Sequence, residues 1–303
     1  MLTVARLEVV CPACGSELYS QDNGARCSGG HDFPGVYSTI DFLAGRGAAD
    51  TDAEIAMDHA AEESSAPWRV NNYLIPQLDR LLGGSLGRRV LDDGCGGGAV
   101  VAELSLAGMD AYGIDPGSRV RQWETSVIGG RLFRADGANL PFHDASFDAV
   151  VSSGVLEHLG EPYPWPQRLP TQVGYIREAL RVLKPNGVAL MAAPNGAHPI
   201  DYWHGRKLRS AEDMTSPMRV HLPYERWMPN ALRVRSWVAA SGYEAEVTFL
   251  TPENYLAFER IQRHRAGRMF TSSMKAVFRS VTRHPILATS PVNPWLVACI
   301  RKR

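Results

Sequence analysis

From about residue 68 onward, short apolar runs alternate with stretches in which apolar residues recur at helical spacing. The apolar runs predict strands at Arg89–Asp92, Ala111–Ile114, Arg131–Ala135, Phe147–Ser152, Val188–Ala193, Glu244–Leu250 and Trp295–Ile300. Helices fit near 98–107, 117–126, 172–183, 229–240 and 253–283. Alternating β and α units imply a mostly parallel sheet covered on both faces. The stretch 194–228 breaks this rhythm: it is rich in His, Pro, Trp and Arg and has no clear period. A connection that long inside a compact domain is usually a functional lid or a substrate-facing insertion.

The first part of the chain follows other rules. Residues 1–45 hold short β-type segments among Cys and Gly, and read as a small module. Residues 46–67 carry Asp50, Asp52, Glu54, Asp58, Glu62 and Glu63 against Arg46, as a linker running into a solvated acidic helix would. The main domain then covers 68–303. Across all 303 residues, 45% hydrophobic and 21% charged is globular composition and excludes a disordered chain. Lys+Arg 32 balances Asp+Glu 32, so the chain as a whole is no basic nucleic-acid binder. No apolar run has the length of a membrane span. The opening MLTVARLEVV, with Arg6 and Glu8, lacks a signal-peptide core, so a cytoplasmic location is expected. Five cysteines in such a chain argue against a disulfide framework.

Four metal-ligand side chains fall in the first module. Cys11-Pro-Ala-Cys14 is followed, after twelve residues, by Cys27-Ser-Gly-Gly-His31. Two tight turns can each present two donors to one tetrahedral ion, and these donors are of the types zinc takes. A ribbon this small cannot build an adequate core, so the metal would supply its folding energy. Unpaired thiols with a chance histidine are the plainer alternative. All four positions are filled by protein, which describes a closed, structural Zn2+ site. Residues 9–43, through Cys11, Cys14, Cys27, His31 and Phe33-Pro34, resemble the zinc ribbon of bacterial rRNA guanine-N1 methyltransferases. Related ribbons precede other methyltransferases, so that resemblance speaks for zinc more than for RNA.

Residues 90–98 read Val-Leu-Asp-Asp-Gly-Cys-Gly-Gly-Gly, a buried strand running into a glycine turn that opens a helix. Glycines there let the backbone come close to a ligand. The string also satisfies a dinucleotide fingerprint, Gly94-x-Gly96-x-x-Ala99 with Asp115 further on. The neighbours favour a sulfonium nucleoside instead. Asp92, just before the loop, suits an ammonium and a sulfonium better than a pyrophosphate. Asp115 ends the next strand, where it can take both ribose hydroxyls. The third strand ends in Ala135-Asp136-Gly137, and Ser152-Ser153-Gly154-Val155-Leu156-Glu157-His158-Leu159 follows the fourth. Arg177–Gly187 leads into the fifth.

This motif set resembles the class I S-adenosylmethionine-dependent methyltransferases over residues 68–302. The resemblance implies an α/β, Rossmann-like fold with a mostly parallel seven-stranded sheet behind the N-terminal zinc ribbon. It implies S-adenosyl-L-methionine as cofactor. Asp92, Gly94, Cys95, Gly96, Gly98 and Ser153 would lie around its methionyl part, Asp115 at the ribose, and Asp136 with Gly137 at the adenine. Cys95 reads as a small loop residue, not a nucleophile. Asp93 departs from the pattern, which more often has an apolar residue there.

The expected reaction is methyl transfer to a small-molecule acceptor at O or N. The rivals are an rRNA or tRNA base methyltransferase and a non-catalytic binding module of the same fold. A general base is needed only if the acceptor must lose a proton. Its candidates are His158 after the fourth strand, and His198 and His221 on the insertion, where Asp201, Tyr202 and Glu225 lie nearby. His158 serves equally well as a structural histidine. Trp203, Tyr224 and Trp227 could stack a planar acceptor or form the insertion's own core. Arg260–Arg303 holds ten basic residues and no acid. Its helical stretch offers a solvated basic face or a dock for an anionic partner, such as RNA, a phosphorylated carrier or a membrane surface.

Overall fold

The computed structural model describes residues 9–36, 39–43, 65–125, 128–160, 168–201, 219–220, 228–255, 280 and 283–303. The expected helix 253–283, the aromatic residues of the insertion and His221 fall almost wholly outside these.

The N-terminal module is a four-stranded antiparallel meander, β1 (Leu18–Gln21), β2 (Gly24–Cys27), β3 (Asp32–Val36) and β4 (Thr39–Ile40). A helical stretch then runs from 65 to 82. Within it, Val70–Leu74 is a widened turn, in which the Ile75 N–H reaches back to the Val70 carbonyl, and α1 (Ile75–Leu82) continues. Ala66 is wholly buried, so the described part of this helix packs into the main domain's core.

The main sheet comprises β5 (Arg89–Asp93), β6 (Asp110–Asp115), β7 (Leu132–Arg134), β8 (Phe147–Ser153), β9 (Leu183–Pro194), β12 (Ala245–Leu250) and β13 (Trp295–Lys302). A separate two-residue pair, β10 (Ile200–Asp201) and β11 (Arg219–Val220), lies in the insertion. The seven strands run in the order β12-β13-β9-β8-β5-β6-β7. β5 to β9 pair in parallel, and β13 is antiparallel to both its neighbours. This is the class I methyltransferase fold. Seven expected strands became seven observed ones.

Two local differences have simple causes. β9 begins at Leu183 rather than Val188, because the Lys184-Pro185-Asn186-Gly187 turn is absorbed as a bulge between the Phe147–Leu183 and Ala149–Val188 pairs. The stretch expected to be helical at 117–126 is a tighter 3-10 coil, Ser118–Thr125. Its buried Val120 and Trp123 are spaced three apart, which suits three residues per turn.

The parallel sheet buries both faces, and each face has its own core. One packs α3 (Leu169–Val182) and α4 (Ala231–Ala240), with Tyr175, Ile176, Leu180, Val234 and Trp237. The other packs the helix at 65–82, α2 (Ala99–Leu106) and Trp123. The ribbon belongs to the first core. Phe33 and Phe42 continue through Phe133 and Phe142 to Phe147, with ring centroids 5.0–6.2 Å apart. The ribbon also extends the open edge of β7. Phe42 donates its N–H to the Arg134 carbonyl at 2.9 Å, the Thr39 hydroxyl bonds the Leu132 carbonyl, and the Val10 N–H reaches the Pro141 carbonyl at 3.0 Å. An edge strand covered in this way offers no template for pairing with another chain.

Candidate functional site

The chemistry-bearing side chains gather beyond the carboxyl ends of β5, β6 and β8, where an open α/β sheet places its ligand crevice. β5 ends in two buried acids, Asp92 and Asp93, and turns at Gly94. Gly94 has φ +93°, and a β-carbon there would run into the Val155 side chain, so the turn demands glycine on both counts. The N–H groups of Gly94 and Cys95 both return to the Ile114 carbonyl at 2.9 Å, which ties the loop to β6. Gly98 then opens α2.

Asp115, at the tip of β6, is buried. Its Oδ2 accepts the Gly96 N–H at 2.9 Å and its Oδ1 accepts the Gly117 N–H at 2.8 Å. Each oxygen keeps a second lone pair for a ligand hydroxyl. The indole of Trp123 donates to the Gly96 carbonyl at 2.9 Å, so the loop is held from both sides. At the end of β7, Asp136 is exposed, with its Oδ1 accepting the Ala138 N–H at 2.9 Å. Gly137 beside it is buried against Asp93 and the Tyr175 ring, which leave no room for a β-carbon. Tyr175 donates to the Asp93 carbonyl at 3.1 Å and shares a hydrogen bond of 2.7 Å with Ser152. Burial pushes the Asp93 carboxyl well above the usual carboxylate range; the Tyr175 hydroxyl opposes this, and the charges of Asp136, Asp92 and Asp115 add to it. Its Oδ2 is buried without a hydrogen-bond partner.

An open cleft of about 530 Å3 lies over the loop. Asp92, Gly94, Cys95 and Ser153 line it, together with Arg69, Leu74, Ala99, Val100, Val151, Ser152 and Tyr255. Of the expected cofactor residues, these first four therefore meet in one cavity. Gly96, Gly98 and Asp115 form its loop and the adjoining strand tip, while Asp136 and Gly137 stand one strand further on. Of the histidines, His158 is exposed, with its backbone N–H on the Val155 carbonyl at 2.9 Å. His198 is half-buried, and its Nδ1 lies 2.7 Å from the Pro291 carbonyl. Neither is among the residues lining the cleft. Asn195 ties the same corner down, with its amide on the carbonyls of Ser290 and Asn293 at 3.0 and 2.7 Å.

Arg69 and Tyr255 had no motif to announce them. Tyr255 is buried, edge-on to Tyr73 at 5.0 Å and tilted over Trp295 at 5.9 Å. Burial raises its pKa, against the nearby Arg69 charge. The signal that could have found it is an aromatic residue just after the apolar run that ends at Leu250.

In the ribbon, the donor atoms of Cys11, Cys14, Cys27 and His31 all lie within 4.8 Å of one another. The Cys14 and Cys27 sulfurs are 3.7 Å apart, and His31 Nδ1 is 3.6 Å from Cys11 Sγ and 3.3 Å from Cys27 Sγ. Tetrahedral zinc with ordinary bond lengths needs edges of roughly 3.8 Å between sulfurs and 3.6 Å between sulfur and nitrogen. The donor set fits the ion. Hydrogen bonding from Ser16, at 3.0 Å, lowers the Cys14 thiol to about 6, while burial raises Cys11 to about 11.

Residues 91–191 match the family profile of the methyltransferase domain. A protein of Mycobacterium sp. strain KMS, described as an uncharacterized methyltransferase, is 32% identical over 167 residues, 52% of this chain and 62% of its own length. An uncharacterized methyltransferase of Mycobacterium avium strain 104 is 35% identical over 126 residues, 39% of this chain and 46% of its own length. The chain thus spans less than two thirds of these curated relatives. Among solved structures, a chain of the complex between the Haloferax volcanii Trm112 methyltransferase activator and a methyltransferase shares the fold. It has a TM-score of 0.50 and 18% identity, covering 82% of this chain and 96% of that one.

Proposed function

We propose that the protein is an S-adenosylmethionine-dependent methyltransferase acting on a small-molecule acceptor, with a structural zinc ion in its ribbon. The observation that carries this reading is Asp115, a buried carboxylate fixed by two backbone N–H groups at the tip of β6, beside a cleft whose floor holds a second acid, Asp92. Two acids repel a pyrophosphate, whereas they attract a ligand bearing ribose hydroxyls, an ammonium and a sulfonium.

Asp115 would take the ribose hydroxyls, Asp92 and the Gly94–Gly98 loop the methionyl end, and Asp136 with the Gly137 backbone the adenine edge. The cofactor, when bound, supplies the electrophilic methyl group. The chain's own task is then to align a nucleophile and keep water out. Leu74, Val100 and Val151 supply apolar wall for that exclusion. His158 and His198 stand as proton acceptors for an acceptor that must lose a proton; their positions outside the cleft lining mean the acceptor itself would have to reach them. The balanced net charge favours a small acceptor over RNA. No helix among the described residues is long and apolar enough to cross a membrane.

Calorimetry with S-adenosylhomocysteine tests the cofactor assignment. Tight binding is expected in the native protein, weakened on the order of 100-fold in Asp115→Ala, since a charged acceptor of two ligand hydrogen bonds is lost. Affinity unchanged by that substitution would remove the basis of the reading. Incubation with methyl-labelled cofactor and a cell extract, separated into RNA, protein and small-molecule pools, tests the acceptor class. Label in the RNA pool would replace the small acceptor by RNA.

A further inference from the structure

Asp93 stands where the motif pattern more often has an apolar residue, and it is not among the residues lining the cleft. Its side chain is buried at the end of β5, 1% exposed, and lies beneath the turn that follows β7. A β-carbon on Gly137 would come within 2.5 Å of Asp93 Oδ1 and 2.5 Å of the Tyr175 ring, so the turn rests on these two side chains. The turn is otherwise closed on itself. The Asn139 N–H meets the Asp136 carbonyl at 2.9 Å, and the Ala138 N–H meets Asp136 Oδ1 at 2.9 Å. Beyond it, the Leu140 N–H bonds the Glu178 carboxylate at 2.9 Å.

The surroundings make a charge on Asp93 costly. Its Oδ2 is buried without a hydrogen-bond partner. The charges that weigh on it are acids: Asp92 on the same strand, Asp115 at the tip of β6 and Asp136 at the end of β7. From α3 comes the Tyr175 hydroxyl, which favours ionisation but is shared with the Asp93 carbonyl at 3.1 Å and with Ser152 of β8 at 2.7 Å. A carboxyl placed in this way keeps its proton.

We infer that Asp93 is a positioning residue for the base of the bound nucleoside: its uncharged carboxyl supports the Asp136-Gly137 turn from beneath and holds it where the base is met. The inference rests on the cofactor reading above. An ionised carboxylate at this place must be hydrated and repels Asp136, and either effect lifts the turn off its support. Nucleoside binding and the Asp93 proton are thereby linked, since a ligand that needs the seated turn also favours the protonated acid. Affinity is complete below the native pKa of Asp93, which burial sets above the ordinary carboxylate range, and falls as pH rises through it.

Two probes and two variants test this. S-adenosylhomocysteine and adenosine share the base, and only the first carries an amino-acid tail. Their dissociation constants are measured by calorimetry on the full chain between about pH 5 and pH 9, for the native protein, Asp93→Asn and Tyr175→Phe. In the native protein both affinities should fall with rising pH, by up to about tenfold per pH unit, as one linked proton requires. Asp93→Asn keeps the shape and cannot ionise, so it should remove that fall for both probes. Tyr175→Phe removes the hydroxyl that favours ionisation, so it should move the fall to higher pH. Native affinities that do not change with pH overturn the inference, as does a fall that persists in Asp93→Asn or stays in place in Tyr175→Phe. A fall seen with S-adenosylhomocysteine alone overturns it as well, since Asp93 would then act on the tail and not on the base. Failure of the native protein to bind either nucleoside at any pH refutes the cofactor reading itself, so the two failures are distinguishable.

Discussion

The Asp41 carboxylate meets the Arg134 guanidinium at 2.7 Å across the seam between ribbon and sheet, with the aspartate almost wholly buried and the arginine largely so. A pair in this setting is costly to break, because removing one partner strands the other charge away from water. Asp41→Ala should destabilise the protein by about 3–5 kcal/mol, while the double variant Asp41→Leu/Arg134→Met should lose clearly less. Urea denaturation of the two variants checks this. Equal losses would mean that the seam is held by its aromatic residues and not by the ion pair.

The same seam predicts the effect of metal removal. Cys11 and Cys27 are buried within the core that also contains Phe133 and Phe142, and Arg134 stands two residues before Asp136. Chelation should therefore lower the thermal midpoint of the whole protein and also weaken S-adenosylhomocysteine binding through the Asp136-Gly137 turn. Metal analysis should give zinc in the native protein and none after chelation. A ribbon that unfolds on its own, with nucleoside affinity unaltered, would show that the seam transmits nothing.

Most of what positions the cleft was legible in local sequence. The strand runs, the Gly94–Gly98 loop and the strand-end acids depend on neighbours close in the chain, and period and glycine chemistry reveal such neighbours. Asp41 and Arg134 are 93 residues apart. Nothing in the Cys-rich segment says that its last strand will cover β7, so composition presents as separate a module that shares the main core. Arg69 was hidden for another reason: it reaches the cleft from beside a widened turn, and no sequence period marks one. Trp123 was read as part of an ordinary helix, although its indole secures the Gly96 carbonyl. The histidines are the part that local sequence leaves open. Their type attracts a catalytic reading, but the fold sets His198 on the Pro291 carbonyl and leaves His158 exposed.

Gly94→Ala should damage the cleft by two routes. A residue with a β-carbon is strained at φ +93°, at a cost of about 1–3 kcal/mol, and that carbon would strike Val155. S-adenosylhomocysteine affinity should fall by at least 10-fold. Adding Val155→Ala removes the collision but not the backbone strain, so recovery should be partial. Full recovery would assign the whole effect to crowding, and none would assign it to the backbone.

Asp93 gives the pH prediction. Its carboxyl lies far above the ordinary range because it is buried; the Tyr175 hydroxyl favours ionisation, whereas Asp136, Asp92 and Asp115 all resist it. A raised value means that the folded chain holds this proton where the unfolded chain has released it. The stabilising contribution is therefore complete below the ordinary carboxylate pKa and is lost as pH rises from there through the native value. Asp93→Asn keeps the shape and removes the titration. Its advantage over the native protein should be small near pH 4 and should widen steadily towards pH 8, reaching on the order of 1–3 kcal/mol, the cost of a buried polar group without a partner. Urea midpoints across that range measure the difference. Parallel curves would place the charge of Asp93 in contact with a compensating group, and the acid would then be ionised within the fold.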